Sequence, residues 1–357
     1  MAAAPVPMRR LGTTWRLNRI ASINHMVIIA MSMDFTDRRL LNLVQMGFPL
    51  CREPFAELGR ILAVSEDEVL KRLHDLKKKK IIRTINAVFE SARMGYHSTL
   101  VAMQVDERHV EQAATLITNH AGVSHNYLRN HYINLWFTLS APRDTDLDAV
   151  AAELGEAVAA EHTLSLPALQ VFKIMVYFDM LGEGDGHLYE EKVKPPNRAA
   201  GHVSEYDKEM VRELQGDLPL EKCPFDEMAA RLGLDIDQFM DRAVSLRERG
   251  IMRSFAARLN HREAGFSANA LSCWRAAPDK VAQVGQAIAS HPQVSHCYER
   301  RTAPQWHYNI YAMIHGHTKE DCDSLAQHIS QETGTKDYIL LYSTKEYLRR
   351  SVRYFTD

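Results

Sequence analysis

Residues 123–129 read VSHNYLR and residues 294–300 read VSHCYER, so His, Tyr and Arg recur in one order and at one spacing. In an extended strand, positions two and four apart share a face. His125, Tyr127 and Arg129 therefore point one way, as do His296, Tyr298 and Arg300. Histidine titrates near neutral pH and serves as a general acid without a large shift. A guanidinium grips a carboxylate through two parallel hydrogen bonds and keeps its charge when partly buried. Each face thus offers a proton donor, an aromatic ring and a carboxylate clamp. A lone strand His or Tyr usually only packs; the repetition of all three is what suggests chemistry. Further residues of the same kinds follow: His131 after the first heptad, and Arg301, Trp306 and His307 after the second. There the copies diverge. Asn134 comes five positions after Arg129, whereas Asn309 comes nine after Arg300. His131 then aligns with Trp306, and His307 with Tyr132, so the two sites are not equivalent.

The elements that must position these residues are themselves repeated. FPLCREPF (48–55) matches LPLEKCPF (218–225), IIR (81–83) matches IMR (251–253), and Gly95-Tyr96 matches Gly265-Phe266, at a near-constant offset. The chain reads as two copies of one domain pair, which predicts packing about a pseudo-two-fold axis. Within a copy, three short helical stretches precede a β-branched strand. In the first copy these are TDRRLLNLVQ with Thr36 as cap, EPFAELGRILAV, SEDEVLKRLHDLKKKK, and the strand IIRTINAVF. Ser65 with Glu68 three residues on predicts a capping box. Three helices and a strand make a winged helix-turn-helix. Then come strand, helix, two strands, helix and a last strand, placed at 168–177 in the first copy. That order, βαββαβ, is ferredoxin-like. The fold class is α+β in tandem. Residues 1–33 are expected to be a disordered or spurious extension and 34–92 the first winged helix-turn-helix. Residues 93–180 form the first ferredoxin-like domain and 181–203, rich in Gly, Pro and charge, a linker. Residues 204–262 and 263–357 repeat the pair, the latter with a C-terminal tail.

Composition narrows the function. At 357 residues, with 46% apolar and 25% charged residues, the chain is an ordinary globular one. A net charge of −2 supplies no general attraction to nucleic acid or anionic membrane. Five cysteines without a CxxC pair argue against a disulfide framework or zinc site and fit a reducing cytosol. A cytoplasmic location with no membrane partner is expected. No Gly-rich nucleotide motif is present.

The arrangement of a winged helix-turn-helix followed by βαββαβ resembles the leucine-responsive/AsnC regulator family. The heptads with their continuations, HNYLRNHYINLWFTL (125–139) and HCYERRTAPQWHYNIYAM (296–313), resemble the siroheme decarboxylases of the same superfamily. These occur as two related subunits, and here the halves look like one of each, fused. The resemblance implies removal of two ring acetate carboxyls from siroheme as CO2, without electron transfer, in haem or d-type haem synthesis. It implies a carboxy-lyase needing no added cofactor, because the iron arrives with the substrate. His125, His131, His296 and His307 are then the candidate acids, one of which can instead ligate that iron. Arg129, Arg300 and Arg301 would hold carboxylates, and Tyr127, Tyr298 and Trp306 would line the macrocycle slot. Trp136 and Tyr311 read as core. Arg83 and Arg253 read equally as ligand contacts or wing salt bridges. An intramolecular pseudo-dimer is expected, with room for a higher homo-oligomer. Two other readings use the same features: a DNA-binding regulator, and a haem-sensing module without turnover. Against the regulator stands the second copy's third helix, which opens with Asp235, Asp237 and Asp241. These acids repel phosphate, so no functional DNA binding is expected.

Overall fold

The computed structural model describes residues 33–174, 177–181, 203–260 and 268–355. The predicted extension and linker lie almost wholly outside the described residues, as does the Gly265-Phe266 pair. In the first copy, helices α1 (Phe35–Met46), α2 (Pro54–Leu62) and α3 (Glu66–Lys78) lead into strand β1 (Ile82–Phe89). Asp34, not Thr36, caps α1, in a reciprocal box with Asp37. Ser65 does cap α3, accepting from the Glu68 amide at 3.2 Å. The predicted box is only half made, however. The Glu68 carboxylate pairs with Arg72 at 2.8 Å instead, because Arg72 also reaches Asp34 and Asp37 and gathers the three acids around it. Val69, Leu73 and Leu76 form the buried face of α3, as their spacing requires.

Then follow β2 (Tyr96–Gln104), α4 (Val110–Asn119), β3 (Val123–Arg129), β4 (Leu135–Pro142), α5 (Leu147–Ala157) and β5 (His162–Ile174). The second copy repeats the plan. Its elements are α6 (Glu205–Leu214), α7 (Asp226–Arg231), α8 (Ile236–Glu248), β6 (Met252–Leu259), β7 (Ala268–Trp274), α9 (Val281–Ser290), β8 (Val294–Arg300), β9 (Ile310–Gly316), α10 (Lys319–Thr333) and β10 (Tyr338–Arg349).

The two copies do not form separate sheets. Strands β10-β3-β4-β2-β5-β8-β9-β7 close into one barrel. Strand β5 pairs through His162–Pro167 with β2 of its own copy, then through Ala168–Ile174 with β8 of the other. Strand β10 does the same with β7 and β3. This is why β5 starts earlier than the predicted 168: its first half is needed to finish its own sheet. The wings β1 and β6 pair antiparallel in a two-stranded ribbon. One apolar core runs through both helix-turn-helix units and includes Phe55, Leu73, Phe225, Phe239 and Tyr354. Inside the barrel a second core holds Trp136, Leu166, Leu271, Trp306, Tyr311 and Leu341, drawn from both copies.

Candidate active site

Cross-strand register decides which way the heptads face. Tyr127 lies opposite Trp136, and Tyr298 opposite Tyr311, in pairs whose partners fill the barrel interior. Directly opposed residues of a sheet project to the same face. Each His-Tyr-Arg series therefore lines the inside of the barrel, one from each copy. The side chains stack in order. His125 and Tyr127 have ring centroids 6.3 Å apart, and the Arg129 guanidinium lies 5.5 Å from the Tyr127 centroid. In the second copy the corresponding distances are 6.2 and 4.7 Å. The arginines also tie the copies together: Arg129 donates to the Leu341 carbonyl and Arg300 to the Leu166 carbonyl, both at 2.8 Å. Their Nε atoms are buried with no hydrogen-bond partner. A buried donor left this way is costly, and an anionic ligand group would satisfy it. Burial pushes Arg129 down to about 10.

Both histidines sit at a β-bulge, between Val123 and His125 and between Val294 and His296. Bulges redirect side chains beside functional sites. Here each brings a serine alongside the histidine that follows it. Ser124 Oγ lies 3.0 Å from His125 Nδ1, and Ser295 Oγ 2.9 Å from His296 Nδ1. Nδ1 is thus engaged, and Nε2 is the nitrogen left for a ligand.

The wing ribbon brings more cations to this end of the barrel. Arg83 of β1 donates to the Arg349 carbonyl at 2.6 Å, and Arg253 of β6 to the Ile174 carbonyl at 3.4 Å. Arg349 is the residue opposite His125 on β10, as Ile174 is opposite His296 on β5. Arg258 of β6 completes the group. Burial, then the charges of Arg349, His296, Arg83 and Arg258, push His125 down to about 3. Burial, then Arg253, Arg349, Arg300 and Arg258, push His296 down to about 4. With no ligand, both rings are neutral at pH 7. The nearby acids are Glu346 and Glu90; Glu90 lies 3.8 Å from Arg253. Among the described residues, six arginines, 83, 129, 253, 258, 300 and 349, therefore outweigh two carboxylates.

The other predicted residues are not part of this group. His131 lies beyond Arg129 in the β3–β4 turn, where its Nδ1 accepts from the Ile133 amide at 3.1 Å. His307 is exposed. Trp306 is buried in the barrel core, its Nε1 donating to Tyr311 Oη at 2.7 Å. Its ring packs against Trp136 and His131, with centroids 5.4 and 5.5 Å away. Arg301 lies outside, paired with Asp148 at 2.8 Å. Trp136 and Tyr311 are core, as expected. Arg258 and Arg349 escaped sequence reasoning because neither belongs to a motif. One signal did exist: they are charged where the other copy has Val88 and Ile174.

A tandem of winged helix-turn-helix units on ferredoxin-like units, with an arginine-rich end to the barrel, defines an AsnC-type fold equipped for a polyanionic small molecule. Residues 93–173 and 263–348 match the AsnC-like ligand binding domain. Residues 37–83 and 207–253 match the siroheme decarboxylase NirDL-like HTH domain. The chain is 35% identical to the siroheme decarboxylase of Hydrogenobacter thermophilus over 89% of its own length and 95% of the relative's. It is 43% identical over 148 residues to the siroheme decarboxylase alpha subunit of Desulfovibrio desulfuricans, covering 85% of that subunit and 42% of this chain. The crystal structure of the siroheme decarboxylase NirDL in co-complex with an iron-uroporphyrin III analogue superposes with a TM-score of 0.67 at 33% identity, covering 89% of this chain and 94% of the other. The chain belongs to the siroheme decarboxylase family.

Proposed function

We propose that the chain removes two acetate carboxyls from siroheme non-oxidatively, giving didecarboxysiroheme, in the cytoplasm and without an added cofactor. The observation that carries this reading is the pair of His-Tyr-Arg series facing one barrel interior beneath a ring of arginines. In each event the bond between the acetate methylene and its carboxylate breaks and CO2 leaves. The electron pair left behind takes one proton, so a methyl group replaces the acetate and no electrons are exchanged. The arginines suit the substrate's many carboxylates, and Tyr127 and Tyr298 suit its flat ring. Burial is the larger cause that keeps His125 and His296 neutral, and substrate carboxylates would offset the second, the positive field of the arginines. The test is anaerobic incubation with siroheme, followed by mass spectrometry. Two successive losses of CO2 without oxidant or reductant are expected. Unchanged siroheme that is consumed only when a redox agent is added would refute the non-oxidative reading.

A regulatory role on DNA is not supported by the charges of the helix-turn-helix units. Glu66, Asp67 and Glu68 occupy the first turn of α3, and Asp235 and Asp237 stand at the start of α8. That end of a recognition helix normally meets the bases.

A further inference from the structure

The two copies differ behind their histidines. Ser295 Oγ, besides touching His296 Nδ1, lies 2.7 Å from Nε2 of His315, a half-buried residue near the end of β9. The equivalent place in the first copy is fixed by backbone pairing. The His315 amide donates to Gln293 O, and the Ser140 amide to Gly122 O. Asn309 and Asn134 anchor the starts of β9 and β4 in the same way, each bridging a backbone N–H and C=O. Ser140 therefore stands where His315 stands.

We propose that Ser295 and His315 form a proton relay to His296, and that only the second copy has one. The claim rests on the decarboxylase reading above. A neutral imidazole is a poor acid, because losing Nε2–H leaves an anion unless a proton reaches Nδ1 at the same moment. The hydroxyl of Ser295 has one proton and two imidazole neighbours. When His315 Nε2–H donates to Oγ, the hydroxyl donates to His296 Nδ1, and His296 presents Nε2–H to the barrel interior. As the acetate carbanion takes that proton, the hydroxyl proton passes to Nδ1 and the His315 proton to Oγ. His296 ends neutral, with its proton on Nδ1. The net donor is His315 in its imidazolium form, which gives its Nε2 proton to Oγ, ends as a neutral imidazole protonated on Nδ1, and is reprotonated from water. In the first copy Ser124 is placed to donate to His125, but serine at position 140, unlike a histidine, takes up no net proton near neutral pH. His125 depends instead on substrate carboxylates for its charge.

The test uses the full chain and siroheme, with affinity read from the visible spectrum. His315→Gln can hydrogen-bond to the Ser295 hydroxyl but cannot pass on a proton. It should lower kcat at least tenfold, with siroheme affinity within about twofold of the unsubstituted protein. Ser295→Ala should do the same. His315→Ala should regain rate when imidazole is added, and Ser140→Ala should match the unsubstituted protein. Retained kcat in both His315→Gln and Ser295→Ala overturns the relay, as does a fall in affinity that matches the fall in rate. If the unsubstituted protein leaves siroheme intact, the decarboxylase reading fails instead.

Discussion

At the scale of single residues, the site is defined by which histidines face the arginine group inside the barrel. His125→Ala and His296→Ala remove the two rings that face the arginines. Each should lower CO2 release by the ~10²–10⁴-fold typical of a general acid. His131→Ala and His307→Ala, at the far end of the barrel or exposed, should stay within about threefold. Equal losses from all four variants would contradict the assignment. The same burial gives a pH signature. Both rings have folded values well below the ordinary one, at about 3 and about 4. From pH 6.5 down to about 4 the unfolded chain therefore binds more protons than the folded one, and stability falls as pH falls. The melting temperature of the ligand-free protein should drop across that window. The slope should flatten in His296→Asn. Arg349→Ile and Arg258→Val, which copy the other half's residues, should weaken siroheme binding rather than slow turnover, and should reduce its salt dependence.

At the scale of elements, the heptads were readable because a strand has a period of two. His125, Tyr127 and Arg129 share a face as that period requires. What the period hides is the bulge that sets Ser124 beside His125 and Ser295 beside His296. An extra residue leaves no mark in an alternating pattern. The exchange of β5 and β10 was hidden too, since an apolar strand does not say which neighbour it pairs with. The roles given to Trp306 and Arg301 rested on residue type near the heptad, and type does not distinguish a lining residue from a core residue or a surface pair. Helix caps were legible only in part, since Asp34 competed with Thr36 at one position. The helix-turn-helix elements bear a stability prediction. A Cβ at Gly59 would lie 2.7 Å from the Val64 carbonyl oxygen, where α2 turns toward α3. In an open helix Gly→Ala gains roughly 0.5–1 kcal/mol. Here overpacking against backbone costs about 1–3 kcal/mol, so Gly59→Ala should destabilise. Urea denaturation reads the sign directly.

At the scale of the whole molecule, the duplication was plain in sequence, but its closure was not. Each copy alone would leave two open sheet edges, at β3 and at β5. Unpaired edges recruit other chains. Cutting the chain within residues 182–202 and purifying either half alone should give aggregated, inactive protein. Co-expression of the halves should restore activity, in keeping with the alpha and beta subunits of the relatives. Calorimetry of the intact chain should show one transition for the barrel, since neither sheet can open without unpairing the other.

Strand exchange also bears on how such a chain can change over time. A duplicated domain ordinarily frees one copy to drift while the other keeps the original task. Here the strand that follows α10 forms the wall beside His125, and the strand that follows α5 forms the wall beside His296. A substitution inherited in one copy is therefore felt in the strand beside its sibling's histidine. Arg349, encoded by the second copy, helps to keep the histidine of the first uncharged. The halves could become different, as His315 and Ser140 have, but they could not become independent.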